Sequence, residues 1–548
     1  MRKYLVWLCF IISGFWNTTA VVAQAKRDLT RFASGLETIR EKLQIPGMAA
    51  AVMEGDSVVF AKGFGYANLK NKIRVTEQTS FRVASITKTF TSTLVMRLVE
   101  QGKLNLDDPI SKYGLDLGNP RITVRNLITH TSEGEPGTAY QYNGFRYGQL
   151  GPILEKITGK PFYQLLMEEI VQPLGMSSTA MGPPFADSFR YIVERKDMKP
   201  FYDNAVSYLA KPYALDSAGN TLEIQYLNQY GAFGGLTTTA MDLLKYSSAV
   251  DRHQFINRST QELVFTPNKT TNGAVTPYGL GWFCSSYRGL NFYWHYGQTP
   301  GESAMFLKIP DLKLTLVVTA NTDKLSQPFP MGDGDPLMSP VVELFYRYFV
   351  NEDKALRPIS YDQPISVLKK EFASLKNNPY KEFYNKELIV QETMDIIAGD
   401  SARAQRLLDI YAGLNGLKLN NIPKGKIIAD LINVSINKEL SKDFKLQKTT
   451  HLRVYGAGEN CSADFSFWCD YGWIEDSVGK IVWQMPGHSA VHAGGAIKNQ
   501  RVDTVIDLPA GNYKLRYKSD TGHAYNSWDS LPPDDFFWGI ILLDEKYR

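Results

Sequence analysis

Apolar residues recur every three or four positions at Leu29, Phe32, Leu36, Ile39 and Leu43, which predicts an amphipathic helix over residues 28–43. Pro46-Gly47 ends it. The apolar run Met48–Met53, the turn Glu54-Gly55-Asp56 and the stretch Val58–Ala61 predict a hairpin. A helix opens at Ser85 and stops at Gly102, with Phe90, Leu94, Val95 and Leu98 giving it a face to bury. Further helices are predicted over 148–158, ended by Gly159, and over Phe162–Val171. A second hairpin joins Phe306–Ile309 to Leu314–Val318 through Pro310-Asp311, and a helix follows over 337–349. Helix and hairpin come first, helices in the middle, hairpin and helix last. The terminal pieces can therefore share one antiparallel sheet, with the middle helices as a lobe beside it. This is an α/β fold of the α+β type over residues 26–350.

The texture then changes twice. Residues 364–415 read as helices, so 351–439 is expected to be a helical linker region. From about 440 the pattern turns to short strands: around Leu452 and Val454, at Ile481-Val482-Trp483, and at Val505–Leu508. The turn Pro509–Asn512 leads into Tyr513–Tyr517, which alternates apolar and polar as a half-buried strand does. A β-sandwich accessory domain is expected over 440–548. Trp468, Trp473, Trp528 and Trp538 could form a platform for cell-wall glycan, although tryptophans in a small sandwich are more often core. Asp534-Asp535 could coordinate calcium, although such a pair is more often a solvated loop.

Composition adds bounds. At 548 residues two or three domains are expected. Hydrophobic content of 44% and charged content of 21% are those of an ordinary globular chain, and the formal charge of +4 is small. No basic stripe with interleaved aromatics occurs, so nucleic-acid binding has no electrostatic support. Arg2-Lys3, the apolar run Tyr4–Trp16 and the small residues through Ala25 have the three parts of a secretory signal over residues 1–25. Cleavage after Ala23 or Ala25 fits; the alternative, an uncleaved anchor, has an apolar run short for a span. A periplasmic or secreted protein is expected, with no stable membrane span once the signal is cleaved. In an oxidising compartment Cys461 and Cys469 could pair. Cys284 is left alone.

The candidate chemistry begins at Ser85 and Lys88, three residues apart and hence on one helix face. A hydroxyl with an amine in reach is an activatable nucleophile, and a helix start favours developing negative charge. Ser-x-x-Lys alone is weak. It recurs at Ser366/Lys369, Ser435/Lys438 and Ser477/Lys480, where a cap serine and a solvated lysine suffice. Context separates the first pair from the rest.

That context resembles the serine β-lactamase and penicillin-binding-protein superfamily, in its class C, esterase and D-aminopeptidase-like branch. The resemblance rests on Ile45–Met48, Phe81–Lys88, Asn126–Ser132, Gly234–Leu243, Tyr278–Trp282 and His295–Gly301, in the family's order. It implies a β-lactamase/transpeptidase-like domain with Ser85 as nucleophile. It implies Tyr142 as the second motif's tyrosine, in the frame Tyr140-Gln141-Tyr142-Asn143-Gly144 with Tyr147 and Leu150-Gly151 following. Tyr66/Asn68 and Tyr202/Asn204 match Tyr-x-Asn strictly but lack that frame. His295 stands where β-lactamases carry the lysine of Lys-Thr-Gly, as in esterase and peptidase members. Gly144 stands where the family usually has Asn, which weakens the case for β-lactam hydrolysis unless Asn143 substitutes for it in substrate binding. The backbone N–H groups of Ser85 and Gln298 would form the oxyanion hole, each typically contributing about 3–4 kcal/mol. Gly297 would let the strand approach substrate. Lys88, if buried, has a depressed pKa; Tyr142, beside two potentially cationic groups, could be a phenolate; either could be the base. The implied activity is an acyl-enzyme serine hydrolase on D-amino-acid peptides, amides or esters ahead of β-lactams, with neither cofactor nor metal. A catalytically degenerate cell-wall or glycan-binding protein is the alternative. An α/β-hydrolase is disfavoured, because Gly487-His488-Ser489 and Gly301-Glu302-Ser303 lack the closing glycine of Gly-x-Ser-x-Gly.

Overall fold

In a computed structural model the structure describes residues 28–544, except 183–194, 217–218, 352–355, 362, 376–377, 416–421, 462–467, 487–489, 494–497, 530–532 and 534–536. The expected signal segment, up to residue 25, and Asp534-Asp535 lie outside the described residues. Among the described residues no helix is long and apolar enough to cross a membrane.

The first helix, α1, spans Leu29–Lys42 and is capped by Asp28, whose side chain accepts from the Arg31 N–H. The chain then enters a seven-stranded antiparallel sheet. Its spatial order is Ile73–Arg74, Ser57–Asn68, Gly47–Glu54, Leu314–Ala320, Glu302–Ile309, Leu290–Thr299 and Phe283–Tyr287. The first hairpin and the last strands are thus neighbours, with Met48 opposite Ala320 and Glu54 opposite Leu314. Strands Glu302–Ile309 and Leu314–Ala320 are buried at every position. That explains their near-continuous apolar runs, because a sheet covered on both faces has no polar side.

The two covers differ. One face, including Ala51, Met53, Phe306 and Val317, packs on the helical lobe. The other, including Val52, Met305, Leu307 and Val318, packs on α1 and on the helices of residues 340–410. The helices Ile365–Ser374, Lys381–Ile397 and Ser401–Asn415 are therefore a packed layer against the seven-stranded sheet rather than a free connector. Arg347 pairs with Glu343 at 3.2 Å and Glu387 at 2.5 Å, while Lys42 of α1 reaches Asp395 at 2.9 Å.

The second helix, α2, spans Thr87–Glu100, and its first ten residues are all buried. Its polar residues are accommodated one by one: Thr91 Oγ1 donates to the Ala232 carbonyl at 2.7 Å, and Thr93 Oγ1 meets Tyr246 Oη at 2.8 Å. The periodicity showed one apolar face. The fold buries the threonine face as well because facing carbonyls and hydroxyls satisfy it.

Strand structure resumes at Ile427, ahead of the texture change near 440. One sheet runs Ile427–Ile432, Gly539–Asp544, Thr450–Glu459, Asn499–Leu508, Val491–His492; the other runs Glu439–Leu446, Gly511–Lys518, Tyr471–Asp476, Ile481–Gln484. Leu452 and Val454 of the first meet Ile474, Leu515 and Tyr517 of the second in a shared core. Trp468, Trp473 and Trp538 are buried, so none of the three offers a stacking face. Cys461 and Cys469 form a disulfide, and Cys284 is a buried free thiol.

Candidate active site

The site is built where α2 begins. Strand Phe81–Arg82 pairs with Leu236–Thr238, and Arg82 anchors it: Nε meets Glu302 Oε1 at 2.7 Å, and two further nitrogens donate to the Leu227 and Gln229 carbonyls at 2.7 and 3.0 Å. Ala84 then adopts φ +42°, a region costly to a residue with a Cβ. Thr87 Oγ1 holds the Ala84 carbonyl at 2.7 Å. The 3₁₀ turn Ala84–Ile86 that follows carries Ser85, one turn ahead of α2 rather than inside it. Strand Leu290–Thr299 presses on this turn: a Cβ at Gly297 would stand 2.2 Å from the Val83 carbonyl oxygen. Only glycine fits there. Exposed Gln298 follows it in the strand.

Lys88 Nζ lies 2.8 Å from Ser85 Oγ and 2.8 Å from the Phe233 carbonyl oxygen. It sits 5.1 Å from the centre of the Tyr142 ring and 5.5 Å from that of Tyr147. The lysine is 1% exposed. Burial without a carboxylate partner pulls its pKa from 10.5 down to about 7. Tyr147 Oη donates to the Lys88 backbone carbonyl at 2.9 Å and fixes this turn of α2 from the outside.

The Tyr142 ring packs against that of His130 at 4.2 Å between ring centres, tilted by 31°. Burial, then the neighbouring Tyr296, raises its pKa well above 10, and hydrogen bonding with Ser85 only partly opposes this. The sequence argument that two nearby cations would favour its phenolate is therefore corrected: burial leaves His295 neutral and Lys88 only partly charged at neutral pH, and burial of the phenol itself dominates. His295 is fully buried, and burial followed by the Lys88 charge pulls its pKa down to about 3. Its Nδ1 donates to the Tyr296 carbonyl at 2.7 Å, which leaves Nε2 to accept from Tyr278 Oη at 2.8 Å. Both ring nitrogens are engaged, so His295 orders the strand behind the site and offers substrate no free donor. The expectation of a catalytic role in direct contact is corrected accordingly.

Asn143 does not replace the absent family amide. Its Oδ1 caps the helix Gly144–Gly148 by accepting the Arg146 N–H at 2.9 Å, and its Nδ2 bonds Glu133. Gly144 is the position that faces the lysine, since a Cβ there would lie 3.8 Å from Lys88 Nζ. Tyr202 sits in the helix Lys199–Ser207, whose Asn204 bonds the Ser177 carbonyl and the Ser178 hydroxyl, and it takes no part. Sequence reasoning gave no role to Tyr278 and His130, although both lie in the motifs quoted above. The Phe233 carbonyl carried no signal, because any residue supplies a carbonyl. A groove of about 620 Å³ between α1 and the Ser57–Asn68 strand is separate from this site: none of Ser85, Lys88, Tyr142 or His295 lines it.

A family model described as Beta-lactamase matches residues 33–333, more than half of the chain. Penicillin-binding protein 4* of Bacillus subtilis (strain 168) is 26% identical over 325 residues, covering 53% of this chain and 70% of that protein. The D-alanyl-D-alanine-carboxypeptidase/endopeptidase AmpH of Escherichia coli (strain K12) is 26% identical over 276 residues, covering 43% of this chain and 68% of that protein. Among solved structures, the octameric penicillin-binding protein homologue from Pyrococcus abyssi is 25% identical and has a TM-score of 0.47. That match covers 54% of this chain and 74% of that one.

Proposed function

The chain belongs to the Beta-lactamase family of serine hydrolases, and on that premise we propose that it is an exported enzyme that forms an acyl-enzyme at Ser85. The observation that carries the proposal is the 2.8 Å contact between Ser85 Oγ and a lysine whose pKa is pulled down to about 7. As a free amine, Lys88 directs an N–H at the Phe233 carbonyl and presents its lone pair to the Ser85 O–H. Ser85 Oγ then attacks the acyl carbon while its proton passes to Nζ. Tyr142 keeps its proton at neutral pH and serves as the relay toward the leaving group, which departs as amine or alcohol. The tetrahedral oxyanion is met by the backbone N–H groups of Ser85 and Gln298. Water cleaves the ester that remains, with Lys88 again taking the proton.

For substrate we propose D-amino-acid peptides, amides or esters ahead of β-lactams. The name of AmpH supports this class. Gly144 in place of asparagine supports the order, because Lys88 donates its second hydrogen bond to a backbone carbonyl instead of a side-chain amide. Export is supported by the signal-like N-terminus and by the Cys461–Cys469 disulfide. The test is intact mass after exposure to a fluorophosphonate and, separately, to a penicillin, with Ser85→Ala as control. A fluorophosphonate adduct absent from the variant is expected. No adduct in folded protein would overturn the hydrolase reading and favour a degenerate binding protein.

A further inference from the structure

The C-terminal sandwich holds a carboxylate cluster far in sequence from Ser85. Glu459 ends the strand Thr450–Glu459, Asp470 precedes the strand Tyr471–Asp476, and Asp520 follows the strand Gly511–Lys518. One carboxylate oxygen from each lies within 4.8 Å of those of the other two. Glu459 is 7% exposed; its Oε1 meets Lys498 Nζ at 3.0 Å, and its Oε2 is buried with no hydrogen-bond partner among the described residues. Asp470 is fully buried, with Oδ1 accepting the Asp520 N–H at 2.7 Å and Oδ2 the Trp538 indole N–H at 2.8 Å. Asp520 Oδ1 accepts the Gly522 N–H at 2.7 Å.

The charge does not balance. Lys498 pairs with Glu459 and with Asp529, whose two oxygens lie 2.7 and 2.9 Å away. Among the described residues Asp470 and Asp520 have only neutral donors. Like charges crowded in a poorly solvated site repel strongly, and either a proton or a cation among them relieves the repulsion. A space for a cation is present. A Cβ at Gly522 would stand 3.3 Å from Asp520 Oδ1, 3.7 Å from Asp529 Oδ2 and 3.8 Å from Glu459 Oε2, so three carboxylate oxygens face one point left open by a missing side chain. Glu459 and Asp470 flank the Cys461–Cys469 disulfide in sequence. Its sulfurs are joined and are not ligands.

We propose that Glu459, Asp470 and Asp520 bind a calcium ion that ties the two sheets of the sandwich together. An all-oxygen, carboxylate-rich donor set suits a hard divalent cation with flexible coordination. The unpartnered Glu459 oxygen is a free ligand, Asp470 and Asp520 retain lone pairs beyond their single hydrogen bonds, and water completes the shell. The site is independent of the hydrolase reading.

The test uses the full chain after chelator treatment, with terbium as luminescent probe and calcium as competitor. Trp538 donates to Asp470, so tryptophan excitation has an energy donor beside the site. Saturable terbium emission that calcium displaces is expected, with a rise in melting temperature of about 5 °C in calcium. Glu459→Gln and Asp520→Asn should each weaken calcium about tenfold or more, while Glu439→Gln on the exposed strand Glu439–Leu446 should not. No saturable emission from wild-type protein would overturn the proposal, as would displacement by zinc and not calcium. Emission unchanged in both folded variants would overturn it too, and the wild-type titration decides if a variant fails to fold.

Discussion

Burial pulls the pKa of both Lys88 and Lys498 downward, yet their partners take the two lysines to opposite outcomes. Lys88 faces a serine hydroxyl, a backbone carbonyl and aromatic rings, and burial alone brings its pKa down to about 7. For Lys498 burial is also the largest single influence and also pulls downward, yet its hydrogen bonds to Asp529 and Glu459 raise its pKa on balance. The difference lies in the partners. Neutral acceptors orient a buried lysine without supporting its charge, and so leave a base; carboxylates support the charge and leave a structural cation. The first arrangement suits chemistry and the second suits the ends of strands.

The largest effect that would break this contrast is at Lys88. Lys88→Met is expected to lower kcat/KM about 10³-fold, as loss of a general base does, and yet to stabilise the fold. The folded pKa lies below the unfolded value of 10.5, so between about pH 7 and 10.5 the unfolded chain holds more protons and wild-type stability rises with pH. The advantage of Lys88→Met should therefore be greatest below pH 7, on the order of a few kcal/mol, and vanish above pH 10.5. Urea midpoints across this range measure it, and a destabilised variant at pH 6 would refute the account.

Next is conversion of one lysine into the other kind. Gly144→Asp would place a carboxylate within reach of Lys88 Nζ. The acid limb of kcat/KM, expected near pH 7 in the wild type, should rise by about two pH units, cutting activity at pH 7 by roughly 50-fold. Gly144→Asn adds no charge and should leave that limb in place. Matching profiles for the two variants would show that partner charge does not govern Lys88.

Lys498→Met carries the opposite expectation to Lys88→Met. Removing the cation from Glu459 and Asp529 should destabilise the protein by about 2 kcal/mol in chelator and by less in calcium, read from urea midpoints. The smallest effect is at Tyr278→Phe. It strips the donor from buried His295 Nε2 and should cost about 1 kcal/mol of stability with a modest loss of activity.

Patterning and residue type determined much of this protein. The spacing of Leu29, Phe32, Leu36 and Ile39, the two hairpins and the helix after Ser85 were legible because each repeats a local rule. The ordered motifs carried Ser85, Lys88 and Tyr142 to one place in the chain's logic. What the sequence left open was decided by partners distant along the chain. The helices after residue 360 read as a connector because amphipathicity does not say which surface a helix will cover, and only the fold lays them on the outer face of the sheet. His295 read as a catalytic group because its type and flanks match one, whereas its role depends on Tyr278 and on the Tyr296 carbonyl filling both nitrogens. Asn143 and Gly144 are adjacent in sequence, yet only backbone direction shows that the glycine, not the asparagine, faces the lysine. Glu459, Asp470 and Asp520 share no motif, because strand ends from two sheets bring them together. Periodicity is a property of neighbours along the chain. A pKa, a tautomer or an ion site is a property of neighbours in space, and so it waits on tertiary structure.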